Sequence, residues 1–180
     1  MPQIQPHALV VGGTGMLKAV VLDLAKQGYR VSVVARHDET LKVLVEEAAE
    51  YAGVIDPIAL DWHNLGELTT ALEQSVRDHG PFSLAVVWIH STAPEAPIAV
   101  AQLIQGDFFH VRSSSVGDPN YKDPVDVKKI SELTNISYHD IILGSISHGH
   151  ERRWLSNDEI SSGVIEAIKA KQKRFIVGEL

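Results

Sequence analysis

Short apolar runs rich in valine, isoleucine and leucine alternate along this chain with segments of helical period. Ala8–Val11, Arg30–Ala35, Val54–Leu60, Ser83–Ile89, Asp107–Arg112 and Tyr138–Leu143 read as strands, with Arg174–Val177 as a final one. Helical patterns lie between them. Leu17–Gln27 closes at Gly28, and a second helix opens at Asp38 or Thr40 and runs to about Ala52 before Gly53. Leu65–His79 closes at Gly80-Pro81, and Pro97–Ile104 closes at Gly106. Ser156 and Glu159 have capping-box spacing ahead of a helix over Ile160–Ala170. Ser113–Asn135 is polar and reads as loop with one short helix over Pro124–Leu133, and His148–Arg153 reads as a charged loop or turn.

The strands are nearly continuous in apolar residues, as expected when a sheet is covered on both faces. Strand–helix alternation with short, right-handed connections predicts an α/β fold with a doubly wound, mostly parallel, Rossmann-like sheet. No repeat or linker divides the chain, so residues 1–180 are expected to form one domain.

The first strand runs into a glycine-dense turn, Gly12-Gly13-Thr14-Gly15, which opens a helix through Met16 and Leu17. A strand feeding such a turn is the setting in which glycines signal dinucleotide binding. The glycines let backbone approach a pyrophosphate, and the helix N-terminus offers unpaired N–H groups to the anion. Lys18 stands where the third glycine of the usual pattern falls. It reads either as a solvated first-turn lysine or as an extra charge for phosphate.

The end of the second strand bears on which dinucleotide. NAD sites place an acid there for the ribose hydroxyls. This chain has Val34-Ala35-Arg36-His37 and no acid until Asp38. A guanidinium fork suits a 2′-phosphate, so Arg36 favours NADP over NAD. The other reading makes Arg36 a solvated strand-end residue.

Composition narrows the rest. The net charge of −7 argues against a basic nucleic-acid-binding surface. With no cysteine, thiol catalysis and disulfides are excluded. No run has the ~18 apolar residues of a membrane span. The first residues, Met1-Pro2-Gln3-Ile4-Gln5-Pro6, lack the basic and apolar regions of a signal peptide, and a cytoplasmic location is expected.

The chain resembles the short-chain dehydrogenase/reductase superfamily over nearly its whole length. Gly12-Gly13-Thr14-Gly15-Met16-Leu17 is similar to the glycine turn of its atypical and extended members. The resemblance gives Asp61, after the third strand, the adenine contact, and Trp62 lies beside it. His90-Ser91-Thr92-Ala93 occupies the place of the family's Asn-Asn-Ala-Gly segment. Arg112-Ser113-Ser114-Ser115 falls where the catalytic serine lies, and Leu143-Gly144-Ser145-Ile146 is similar to the segment beside the nicotinamide.

One departure is large, because no Tyr-x-x-x-Lys occurs. Tyr121 is followed by Val125 four residues on, and Tyr138 by Ile142. A lysine one turn from a tyrosine favours phenolate and so assists proton transfer. Without that pair another donor is needed. His90, at the carboxyl end of the fourth strand, is the leading replacement, because imidazole exchanges protons near neutral pH. Ser113 and Ser114 read either as groups that orient a substrate carbonyl or as a polar turn.

The resemblance thus implies a minimal NADP(H)-binding oxidoreductase with a non-standard catalytic site, acting on a small molecule and forming a homo-oligomer. The missing pair supports a second reading, a non-catalytic nucleotide-binding or redox-sensing protein. A third makes the domain a structural partner that has lost its ligand. His148-Gly149-His150-Glu151 has metal-ligand residue types, but its flanks read as an exposed loop, so no metal is expected. His110, within the fifth strand, reads as a satisfied core residue.

Overall fold

The computed structural model describes residues 4–180, so the first three residues of the segment tested for a signal peptide lie outside the described part. A seven-stranded parallel sheet forms the centre, in the order β3-β2-β1-β4-β5-β6-β9. Its strands are β1 (His7–Val11), β2 (Arg30–Ala35), β3 (Val54–Ala59), β4 (Phe82–Val87), β5 (Ile104–Ser113), β6 (Ile136–Leu143) and β9 (Arg174–Val177). The helices are α1 (Lys18–Lys26), α2 (Asp38–Glu47), α3 (Leu65–His79), α4 (Ala96–Ala101), α5 (Val127–Ser131) and α6 (Asn157–Ala170). The expected α/β, doubly wound, Rossmann-like fold is present.

Strand periodicity explains the layers. In β1, Ala8 and Val10 face a core shared with α1, α2 and α6, whereas Leu9 and Val11 face one shared with α3 and α4. All four are fully buried, so the run cannot alternate with polar residues. The sheet order reverses between β1 and β4. The carboxyl ends of these two strands therefore flank the crevice in which open α/β sheets bind ligands.

Several expected boundaries shift. The second helix stops at Glu47 because the chain must return to the sheet, where Gly53 N donates to Ala25 O at 2.8 Å. It is preceded by His37 with no side-chain cap, so neither Asp38 nor Thr40 serves as one. The fourth helix covers Ala96–Ala101, and Ile104 already belongs to β5, paired with Phe82. Gly106 therefore lies inside β5 and does not end a helix. The register shifts there and the Ser83 backbone leaves no space for a side chain. The short helix starts at Val127, where Asp126 accepts a hydrogen bond from Lys129 N at 3.0 Å.

The charged segment near 148 is no loop. Residues β7 (Ser145–His148) and β8 (Glu151–Trp154) form an antiparallel hairpin turning at Gly149, φ 63°. The capping box at the start of α6 forms as the spacing predicts. Ser156 Oγ accepts from Glu159 N at 3.2 Å, and Glu159 Oε2 accepts from Ser156 N at 2.8 Å.

His110 on β5 is buried, with Nδ1 hydrogen-bonded to the Tyr138 hydroxyl at 2.9 Å. Burial, and then the neighbouring Arg112 charge, push its pKa down to about 3. In the unfolded chain a histidine titrates near ~6.5. The unfolded state therefore binds the extra proton between these values, and stability falls as pH drops from about 6.5 toward 3. This one group contributes up to about 1.4 kcal/mol per pH unit. His110→Gln is expected to flatten the fall in unfolding free energy between about pH 6 and 4 by up to that slope. Denaturant titrations of both proteins across that range check it, and parallel slopes would refute it.

Candidate functional site

The glycine turn assigns a separate task to each of its three glycines. Gly12 leaves β1 with φ 85°, and a side chain there would meet the Trp88 carbonyl at 3.1 Å. A Cβ on Gly13 would sit 2.7 Å from Val33 Cγ1 and 2.8 Å from Val21 Cγ2, so this is where α1 comes close to β2. A Cβ on Gly15 would meet nothing within 4 Å. Close helix–strand packing, the usual job of the third glycine, thus falls to Gly13. Lys18 is free to point outward, where its Nζ pairs with Glu47 of α2 at 2.6 Å. Leu17 is fully buried beneath the turn.

The open side of Gly15 faces a cleft of about 190 Å³ between the turn and the end of β2. Thr14, Met16, Arg36, Trp62 and Trp88 line it together with Gly12. No acid lines this cleft, and Arg36 pairs with no carboxylate among the described residues. The Arg36 guanidinium lies 5.9 Å from the centre of the Trp62 ring. In a chain of net charge −7, this is a local basic pocket.

Beside it, four side chains from the loops after β3 and β4 form one hydrogen-bonded string. Asp61 Oδ1 accepts from His63 N at 3.0 Å and pairs with His63 Nδ1 at 2.7 Å. Those two hydrogen bonds hold the Asp61 carboxyl below the usual carboxylate range, with the Arg36 charge adding to the effect. His63 Nε2 meets Thr92 Oγ1 at 2.8 Å, and Thr92 Oγ1 lies 3.2 Å from His90 Nδ1. Thr92 N also donates to His90 Nδ1, at 3.3 Å. The sequence pointed to Asp61 and His90 but not to the two residues that join them. The signal was there in Asp-x-His and His-x-Thr, two spacings that place both partners within reach of one turn.

His90 and Ser91 line a second cleft, of about 140 Å³, with Ser113, Arg112 and Tyr121. Ser113 and Ser114 line a third, of about 170 Å³, with Gly144, Met16 and Trp88. Trp88 lines all three clefts and Met16 two of them, so the clefts adjoin and make a groove along the carboxyl edge of the sheet. Tyr121 enters this groove although no lysine follows it at helical spacing. Ser145 and Ile146 have instead become the start of β7. Ser145 is buried, donating to Glu179 O at 3.2 Å, and Ile146 pairs across the hairpin with Arg153.

One floor of the groove is pinned by charge. Arg112 donates to both carboxylate oxygens of buried Asp140 at 2.7 Å and to Asp123 at 2.6 Å. This ties the loop before α5 to β5 and β6. Arg112 is therefore engaged structurally. Among the described residues no group of three histidines or acids is placed to hold a metal ion.

The fold matches solved structures in outline. The model superposes on a metagenomic short-chain oxidoreductase in complex with NADP with TM-score 0.70, at 16% identity, covering 97% of this chain and 96% of that one. A short-chain dehydrogenase from Sphingobium yanoikuyae in complex with NADPH gives TM-score 0.74 at 13% identity, covering 95% and 87%. A short-chain type dehydrogenase/reductase from Mycobacterium marinum gives 0.69 at 19% identity, covering 98% and 95%. The chain has the short-chain dehydrogenase/reductase fold. No protein-family model matches it. In this chain α5 is five residues long and a hairpin follows β6. No helix among the described residues is long and apolar enough to cross a membrane.

The division of labour in the glycine turn is open to test. Gly13→Ala is expected to lower the unfolding free energy by about 1–3 kcal/mol through overpacking. Gly15→Ala, entering open space, is expected to leave it within about 0.5 kcal/mol. Chemical denaturation of the two variants checks this, and equal losses would remove the distinction.

Proposed function

We propose that this protein binds NADP(H) and is an oxidoreductase that transfers hydride between the nicotinamide and a small carbonyl or hydroxyl substrate, with His90 in the place of a tyrosine acid. The observation that carries the reading is the groove itself. An open glycine cradle, an arginine without an acid partner among the described residues at the end of β2 and a histidine on a hydrogen-bonded string lie along one edge of the sheet. Similar folds are solved in complex with NADP or NADPH, which supports the same cofactor here.

The residues fit the group. Gly12–Met16 would hold the pyrophosphate against the start of α1, and Arg36 would take the 2′-phosphate. Trp62 and the remaining Oδ2 of Asp61 would border the adenine. Gly144, Met16 and Trp88 would frame the nicotinamide, with Ser113 and Ser114 orienting the substrate oxygen. When bound, NADPH supplies the hydride that adds to the carbonyl carbon.

The proton for the carbonyl oxygen comes from the string. Because Thr92 N donates to Nδ1 of His90, that nitrogen acts as acceptor and Nε2 carries the hydrogen. His90 Nε2 gives its proton to the substrate oxygen as Thr92 Oγ1 passes one to His90 Nδ1, and His63 Nε2 replaces the threonine proton; exchange with water then returns the His90 proton from Nδ1 to Nε2, the form that the Thr92 N–H favours. In this step His63 carries both ring protons, Nδ1 toward Asp61 and Nε2 toward Thr92, and being half-exposed it recovers the lost one from water. The tautomer set by one backbone N–H therefore decides the direction of transfer.

The absent Tyr-x-x-x-Lys and the five-residue α5 support a second reading, a nucleotide-binding protein without turnover. Calorimetry and kinetics separate the two. NADPH is expected to bind more tightly than NADH, and Arg36→Leu is expected to weaken NADPH by about 10–100-fold with little effect on NADH. Across a panel of aldehydes, ketones and quinones, His90→Ala is expected to lower kcat by about 10²–10⁴-fold at unchanged NADPH affinity. Thr92→Val is expected to move the pH profile of kcat in the same background. NADPH binding without turnover of any substrate would favour the second reading, and no binding of either nucleotide at millimolar concentration would sink both.

A further inference from the structure

A cavity of about 450 Å³ lies under the β7–β8 hairpin and beside Ser114. In an antiparallel hairpin, opposed residues share a face and alternate along each strand. Ser145 opposes Trp154 and Ser147 opposes Arg152, so Ser145, Arg152 and Trp154 look to one side. All three line the cavity, and Arg153 of the other face reaches its rim as well. Two features of this wall have no internal explanation. Trp154 is 75% exposed, a large aromatic surface left in water. Arg152 has no carboxylate partner among the described residues.

The guanidinium is nonetheless held in place. Its Nε donates to Ser145 Oγ and one Nη donates to Glu179 O at 3.3 Å. Two neutral acceptors orient the group, and neither compensates its charge. The adjacent Arg153 differs, because Glu159 neutralises it with two hydrogen bonds of 2.8 and 2.9 Å. Asp118 is the one acidic side chain lining the cavity. A positioned, unpaired arginine with an exposed indole beside it matches a ligand with an anionic end and an apolar body.

We propose that this cavity is a substrate subsite and that Arg152 and Trp154 select carbonyl compounds carrying a carboxylate on an apolar tail. The inference rests on the oxidoreductase reading for the identity of the ligand as a substrate, though the anion preference of the cavity stands on its own geometry. Arg152 acts as a binding residue remote from the reacting atoms. The carboxylate would meet the free edge of its guanidinium, the tail would cover Trp154, and the carbonyl end would reach Ser114.

Calorimetry with unreactive probes tests the subsite without turnover. 4-Phenylbutanoate is expected to bind the full chain at least tenfold more tightly than 4-phenylbutanamide, with quenching of tryptophan fluorescence that Trp154→Phe removes. Arg152→Gln is expected to abolish the preference for the acid, Arg153→Gln to retain it, and Asp118→Asn to strengthen acid binding. Equal affinity for acid and amide, or an acid preference that survives Arg152→Gln, would overturn the proposal. Kinetics then tie the subsite to the reaction. For 4-(4-acetylphenyl)butanoate with NADPH, whose carboxylate and ketone lie at opposite ends, Arg152→Gln is expected to raise KM at least tenfold, while KM for the neutral 4′-propylacetophenone stays within twofold. Failure of the oxidoreductase reading would show as no turnover of either ketone with the acid preference intact, whereas failure of this one leaves turnover and removes the preference.

Discussion

Helix α1 rests on β2 at a point where no side chain fits. The methyls of Val33 and Val21 close around Gly13 so tightly that a single added carbon overlaps both. That contact sets the height of the helix over the sheet and, with it, the position of the turn that precedes it. The open side of Gly15, the cleft beyond it and the alignment of Arg36 across that cleft all follow. A helix lifted by a methyl group would close or tilt the groove, because close-packed layers transmit displacement.

The sheet supplies the second requirement, which is convergence. Parallel strands end together, so the loops after β1, β2, β3, β4, β5 and β6 meet along one edge although they are far apart in sequence. Asp61, His63, Thr92 and His90 are brought onto one string this way, from two loops. Charge is handled locally along the same edge. Arg112 is spent on Asp140 and Asp123, which fastens the loop before α5, whereas Arg36 and Arg152 remain without acid partners. Both unpaired arginines border cavities, which is where an uncompensated cation has a use.

Much of this was legible in the chain. Fully apolar strands in a β–α alternation can bury themselves only between two helical layers, and the glycine turn marks the first crossover. Arg36 in place of an acid and the capping box at Ser156 are local signals that the fold keeps, whereas the caps expected at Asp38 or Thr40 do not form. The boundaries near Ile104 and Gly106 were misread because a helix end and a strand bulge both ask for glycine. The hairpin over Ser145–Trp154 was hidden because its residues, serine, histidine and arginine, carry no apolar alternation.

What the sequence by itself determined is the order of elements, the two-faced burial of the sheet and the chemistry available at strand ends. These depend on backbone preference and on the spacing of apolar residues, which are properties of neighbours in the chain. Only the tertiary structure decided which glycine carries the helix contact, that Thr92 joins His63 to His90, and that Arg152 and Trp154 share a wall with Ser114. Those are relations between loops distant in sequence. They are set by the register of the sheet and the packing above it, and no pattern within one segment encodes them.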